Sequence, residues 1–137
     1  MKGLLEAFQV FWRENAEILP DRNGYVEAVP QLVLQAFLQR VFNGNATIVR
    51  EYATGRRNVD LCVTYQGRRY PIEVKLANNG QAKDEITEQI LDYMDKCGSG
   101  EGWLVTFDRS MEKLWEEKIK WADEKREDGR IIHRVGC

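Results

Sequence analysis

Apolar residues recur at helical spacing near the N-terminus of this chain. The recurring positions are Leu4, Leu5, Phe8, Phe11 and Trp12. Charged residues interrupt them at Glu6, Arg13 and Glu14, which argues against a signal peptide. We therefore predict an amphipathic helix over residues 1–20, which packs on the body of the fold or on a preceding domain.

A second helix is predicted from about Val26 to Phe42. Its apolar stripe contains Leu32, Leu34, Phe37, Leu38 and Val41. Pro30 either opens this helix or kinks it. The run Asn43-Gly44-Asn45 ends it, because Asn and Gly favour the backbone conformation found just after a helix.

The rest of the chain alternates between strand and helix patterns. We predict strands at Thr47–Ala53, Asn58–Tyr65, Tyr70–Leu76, Trp103–Phe107 and Arg130–Val135, and helices at Lys83–Lys96 and Met111–Arg126. This order indicates one α/β domain with a mixed sheet covered by helices. Three consecutive strands fit a doubly wound fold poorly, and no dinucleotide-binding or P-loop motif is present.

Two carboxylates are predicted to meet across the second and third strands. A two-residue turn at Gln66-Gly67 places Asp60 directly opposite Glu73, with their Cβ atoms roughly 4.5–5.5 Å apart. A four-residue loop keeps this pairing, whereas a three-residue loop destroys it. Asp60 shares its face with Cys62 and Thr64, whereas Val59, Leu61, Val63 and Tyr65 share the other.

This pairing favours a cation. Two ionised carboxylates about 5 Å apart repel by roughly 3 kcal/mol at an effective dielectric constant near 20. A divalent ion between Asp60 and Glu73 reverses that effect, and two oxygen ligands plus several waters suit Mg²⁺. Lys75 lies two residues along the same face, where its ammonium can hold an attacking water or a phosphate charge. The competing interpretation is a solvated strand face with unrelated charges. An E-x-K triplet alone is not specific, because a second one, Glu116 to Lys118, lies in a predicted helix without a partner Asp.

Composition narrows the class of protein. The chain has 137 residues, 43% hydrophobic and 31% charged, with a formal charge of -2. One His and three Cys without a CxxC pair exclude a common zinc site, and we expect reduced, packed thiols in a cytoplasmic protein. No apolar stretch reaches the roughly 18 residues of a membrane helix, so no membrane partner is expected. Arg50, Arg56 and Arg57 belong to a locally basic segment, and they contact phosphates or belong to a solvated loop.

The motif residues resemble a known nuclease superfamily. Asp60 on one strand and Ile72-Glu73-Val74-Lys75 on the next resemble the signature of the PD-(D/E)XK nucleases, although Val59 replaces the eponymous Pro. Gln89 and Tyr93 match the QxxxY spacing of the RecB-like exonuclease branch. Residues 25–137 are similar to nuclease-like domains at the C-terminus of prokaryotic AAA-type ATPase modules.

The resemblance implies a restriction-endonuclease-like αβββαβ core over residues 25–137, with the N-terminal helix as an addition. It implies that Asp60, Glu73 and the carbonyl of Val74 bind Mg²⁺ or Mn²⁺, and that Lys75 positions or activates water. Gln89 would orient the water or the metal shell, and Tyr93 would contact substrate or brace its helix. Glu27 on the early helix is the candidate for a further acidic ligand.

The expected activity is metal-dependent hydrolysis of phosphodiester bonds in DNA, or in RNA. One alternative is a catalytically silent module that binds nucleic acid or docks on a protein of an ATPase system. A second alternative is a packed domain without a site. An AAA-type ATPase module is the expected protein partner, and a homodimer is compatible with the resemblance.

Overall fold

The computed structural model describes residues 1–16, 28–53, 58–77 and 82–137. The helices are α1 (Lys2–Asn15), α2 (Ala28–Phe42), α3 (Lys83–Cys97) and the short α4 (Trp115–Lys118). The strands are β1 (Thr47–Ala53), β2 (Asn58–Tyr65), β3 (Arg68–Leu76), β4 (Glu101–Phe107), β5 (Lys120–Lys125) and β6 (Ile131–Gly136). None of the described helices is long and apolar enough to cross a bilayer.

The described strands form one six-stranded mixed sheet in the order β1-β2-β3-β4-β6-β5. Strands β1, β2 and β3 are antiparallel neighbours, β3, β4 and β6 run parallel, and β5 returns antiparallel beside β6. The predicted α/β class with a mixed sheet is therefore confirmed. The parallel step from β3 to β4 passes through α3, because parallel strands need a long crossover connection.

Helices cover both faces of the sheet. Helices α1 and α2 lie on one face, where Phe8 packs edge-on against Phe37 of α2 and Phe107 of β4. Helix α3 lies on the other face, where Ile90 and Met94 are fully buried. Strand β3 alternates between the two faces: Ile72 and Val74 pack on the α1–α2 side, whereas Glu73 accepts a hydrogen bond from Gln89 of α3 on the other side.

The stripe predicted for the second helix is only partly right. Helix α2 buries Pro30, Gln31, Leu34, Leu38 and Phe42. Leu32 and Val41 were assigned to the buried stripe, but each exposes 46% of its surface. The buried positions are 31, 34, 38 and 42, which follow helical spacing. The buried face is therefore rotated from the predicted stripe, and it includes Gln31.

The predicted face of Val59 is wrong. Val59 packs with the residues beneath α3, whereas Leu61 and Val63 pack on the α1–α2 side. The alternation breaks at Asp60, opposite Glu51 of β1, which adopts a left-handed φ of 50°. The register of β1 and β2 skips Glu51 and Asp60, so strict two-residue alternation does not extend through this point.

The helix predicted over Met111–Arg126 is also wrong. Only Trp115–Lys118 is helical, and Lys120–Lys125 forms strand β5 against β6. Local helix propensity is overridden because β5 gains pairing with β6 and packs Trp121 into the core. Asp128-Gly129 was the missed signal: Gly129 has a φ of 86° in the loop between β5 and β6.

His133 lies on β6, which is an interior strand between β4 and β5. The His133 ring stacks on Trp103 with 3.9 Å between ring centroids, and Nδ1 lies 2.7 Å from Oδ1 of Asp123. His133 therefore belongs to the core that joins β4, β5 and β6. All three cysteines are buried, as expected for packed thiols.

The packing of α3 on β4 predicts a sharp requirement for Gly102. A Cβ atom at Gly102 would lie 2.6 Å from Sδ of Met94 and 2.8 Å from Cγ1 of Ile90. We expect Gly102→Ala to lower the free energy of unfolding by about 1–3 kcal/mol, because the helix must shift or its side chains must change rotamer. Urea denaturation measures this. Gly100→Ala is the matched control, since a Cβ there meets nothing within 4 Å; equal stability of the two variants would contradict the prediction.

Candidate active site

The β2–β3 hairpin has the predicted register. Tyr65 pairs with Arg68 and Leu61 pairs with Ile72, and the described pairing ends there, one position before Asp60 and Glu73. The two carboxylates are close enough for the charge of Asp60 to raise the pKa of Glu73. Gln66 and Gly67 both have positive φ, at 50° and 75°, which suits the two-residue turn that the sequence predicted. Oδ2 of Asp60 accepts a 2.7 Å hydrogen bond from the main-chain N–H of Val74, which holds this carboxylate against β3.

Glu73 is the centre of the site and is only 1% exposed. Its Oε1 accepts hydrogen bonds from Nε2 of Gln89 and from Nζ of Lys75, both at 2.8 Å. Its other oxygen, Oε2, is buried and has no hydrogen-bond partner among the described residues. A buried carboxylate oxygen without a partner is costly, so this atom is a natural position for a cation or a proton.

The electrostatics of Glu73 reflect this geometry. The pKa of Glu73 is raised to about 7, mainly by burial and then by the neighbouring Asp60 carboxylate, whereas the hydrogen bond and charge of Lys75 and a main-chain hydrogen bond from Asp60 oppose the shift. Burial and the charge of Asp60 together outweigh the opposing contributions to the pKa of Glu73. The site therefore holds a carboxyl group whose charge is unfavourable without more positive charge nearby.

Gln89 and Tyr93 form a brace between α3 and the sheet. The Nε2 amide of Gln89 also donates to the Tyr93 hydroxyl at 2.8 Å, and that hydroxyl donates to the carbonyl of Asn58 at 2.6 Å. Burial raises the pKa of Tyr93, which is fully buried, so the hydroxyl stays protonated and acts as a donor. Of the two roles implied for Tyr93, the geometry favours bracing the helix over touching substrate.

Gln31 was not recognised as a site residue from the sequence. Its Nε2 donates to the main-chain carbonyl of Asp60 at 3.1 Å from α2, and the residue is 6% exposed. The available signal was its position in line with Leu34 and Leu38 on the buried face of α2. A polar residue on an apolar stripe needs an internal partner, and here that partner is the backbone of the Asp60 strand.

The remaining predicted site residues are distributed as follows. Val74 enters the site through its main chain, while its side chain is fully buried on the opposite face. Arg50 pairs in register with Leu61, whose side chain faces α1 and α2, and forms an ion pair with Glu51 at 3.3 Å. The structure therefore does not bring Arg50 to the carboxylates. Glu27, Arg56 and Arg57 lie outside the described residues.

The donor set fits a hard divalent cation. Within residues 1–16, 28–53, 58–77 and 82–137, no group of three or more His, Cys, Asp or Glu side chains forms a ready-made metal cage. The site offers two carboxylates, one with an unpartnered oxygen. Few protein ligands suit Mg²⁺, which usually retains several of its waters.

Comparison with known proteins places the chain in a family. A family model described as a domain of unknown function, DUF8371, matches residues 5–111, so the chain belongs to this family. The match includes every residue of the site described above. No curated protein matches the sequence.

The raised pKa of Glu73 predicts a pH-dependent stability. Between the ordinary pKa of 4.5 and the folded value of about 7, the native state binds the proton more tightly than the unfolded state, so stability falls as pH rises. Relative to Glu73→Gln, we expect the wild type to lose up to about 3 kcal/mol from about pH 5 to about pH 8. Urea unfolding across this range measures the difference. The exposed Glu116→Gln variant should track the wild type; a Glu73→Gln curve parallel to the wild type would show that this carboxyl titrates normally.

Proposed function

We propose that this chain is a metal-dependent nuclease with a restriction-endonuclease-like core. The order α2-β1-β2-β3-α3-β4 matches the αβββαβ arrangement that the resemblance to PD-(D/E)XK nucleases implies. The proposal is supported by the convergence of Asp60, Glu73, Lys75 and Gln89 from three separate elements. The reaction class is proposed from the resemblance. The geometry supports it because two carboxylates, a lysine and a glutamine lie close together.

The observation that carries the proposal is Oε2 of Glu73, which is buried without a hydrogen-bond partner among the described residues, in a carboxylate that the charge of Asp60 also disfavours. An ordinary structural ion pair would satisfy both carboxylate oxygens, because an unpaired buried charge destabilises the fold. Here Lys75 and Gln89 share one oxygen and leave the other without a partner among the described residues. A divalent cation held by Asp60 and Glu73, with the carbonyl of Val74 as a further ligand, would complete the site.

Each residue then has a defined task. A bound Mg²⁺ or Mn²⁺ supplies a water of lowered pKa and stabilises negative charge on a phosphate. Lys75, whose side chain is 12% exposed, places its ammonium beside Glu73 and can orient a water or hold phosphate charge. Gln89 fixes the orientation of Glu73, and Tyr93 fixes Gln89 by hydrogen bonding to the end of β2. DNA is the proposed substrate, with RNA as a second, and an AAA-type ATPase module is the proposed partner.

One observation favours a catalytically silent binding module instead. Lys75 already forms an ion pair with Glu73 and so neutralises part of the buried charge without any metal. A site held closed by this pair would keep the fold and the surface charge while performing no hydrolysis. The two functions differ in whether a divalent ion binds at Asp60 and Glu73.

Calorimetric titration with Mn²⁺ and Mg²⁺ tests the proposal. We expect binding to the wild type and at least a tenfold loss in Asp60→Asn, which removes a ligand charge but keeps an oxygen that can accept from Val74. Asp92→Asn is the matched control, since Asp92 lies on α3 and pairs with Lys96 at the surface. Cleavage of labelled DNA and RNA should require the metal and should disappear in Lys75→Gln while metal binding persists.

Two results would count against the nuclease. Equal metal affinity in the wild type and in Asp60→Asn would remove the metal site. Metal binding without cleavage of DNA or RNA, combined with salt-sensitive binding of either, would favour the silent module.

A further inference from the structure

A cavity of about 310 Å³ lies at the carboxyl ends of β4 and β6. Its lining includes Thr106, Ala122, Lys118 and Lys120. This position adjoins the candidate site, because Thr106 is the register partner of Lys75. Ligands of open α/β sheets bind where parallel strands end, so the cavity lies at the edge where a substrate would be expected.

The cavity and the candidate site share one face of the sheet. Lys75 pairs with Thr106, Thr106 pairs with Gly136, and Gly136 pairs with Lys120. Register partners on adjacent strands point to the same side. Three spacings of about 4.8 Å separate Lys75 from Lys120, so their Cα atoms lie roughly 14 Å apart along this row.

The charges around the cavity favour an anion. Lys113 neutralises Asp108 and Glu124 neutralises Arg134, whereas Glu117 keeps its negative charge while it accepts from the main-chain N–H of Leu114. Lys118 and Lys120, in contrast, form no ion pair with a carboxylate within the described residues, and Nζ of Lys118 lies over the Trp115 ring at 4.8 Å. The two lysines therefore remain available for phosphates.

The main chain holds these lysines in place. The Nε2 amide of Gln9 in α1 donates to the carbonyls of Lys120 and Gly136, which fixes the adjoining ends of β5 and β6. A Cβ atom at Gly136 would collide with the carbonyl of Lys118, so the segment carrying Lys118 lies directly against β6. The cavity wall is thus built on strand ends rather than on a loose surface side chain.

We propose that this cavity binds the nucleotide next to the scissile phosphate of a single-stranded substrate. The proposal rests on the nuclease function proposed above. Lys118 and Lys120 contact phosphates, and the methyl groups of Ala77 and Ala122 contact the base. A base can contact these two methyl groups only when it is unstacked from its neighbours, which favours a single strand over an intact duplex.

Fluorescence anisotropy with a short labelled oligothymidine in EDTA tests this inference without cleavage. We expect the Lys118→Gln/Lys120→Gln double variant to lower the slope of log affinity against log salt by about 1.4, because each phosphate contact on a single strand contributes about 0.7. At about 0.1 M salt the affinity should fall by roughly tenfold or more. A duplex of the same length should bind more weakly than the single strand.

Lys125→Gln is the matched control, since Lys125 is exposed at the opposite end of the same strand. It should retain the wild-type slope. An unchanged slope in the double variant, an equal change in Lys125→Gln, or no salt-sensitive binding by the wild type would overturn the cavity as a nucleotide subsite. None of these results alters the metal titration, so the nuclease proposal is judged separately.

Discussion

The burial of Glu73 between β3 and α3 is the constraint on which the site depends. A carboxylate that is 1% exposed needs compensating interactions, and three neighbouring side chains supply part of them. Lys75 supplies charge, Gln89 supplies a hydrogen bond, and Tyr93 anchors Gln89 to β2. Because Asp60 adds a second negative charge, the charge of Glu73 is only partly compensated, and its pKa is raised to about 7.

This constraint joins the two faces of the sheet. Asp60 is held from the α2 side through the hydrogen bond of Gln31 to its carbonyl, and from β3 through the N–H of Val74. The site is therefore built on strands and helices whose side chains are fixed by the core. Such support holds the polar groups in a fixed arrangement, which the proposed metal site requires.

The sequence predicts the hairpin well, because turn chemistry and two-residue alternation act locally. Gln66-Gly67 sets the register, and the structure keeps that register from Tyr65–Arg68 to Leu61–Ile72, next to Asp60 and Glu73. The sequence predicts the face of Val59 poorly because the break in alternation coincides with the left-handed backbone of Glu51, which belongs to the neighbouring strand. The helix predicted over Met111–Arg126 is wrong for a related reason. Strand β5 forms through pairing with β6, and the helical pattern within the segment contains no information about that pairing. Gln31 can be recognised as a residue of the site only once the buried face of α2 is known.

The charged composition of β5 has a consequence for the whole molecule. This strand ends the sheet, and its sequence Lys120-Trp121-Ala122-Asp123-Glu124-Lys125 contains four charged residues. A neighbouring molecule that added its own strand here would have to bring its backbone against those charges and strip their hydration. The edge strand β5 therefore resists intermolecular β-pairing and aggregation. The charged residues that led to the wrong helix prediction thus protect the folded chain from polymerising.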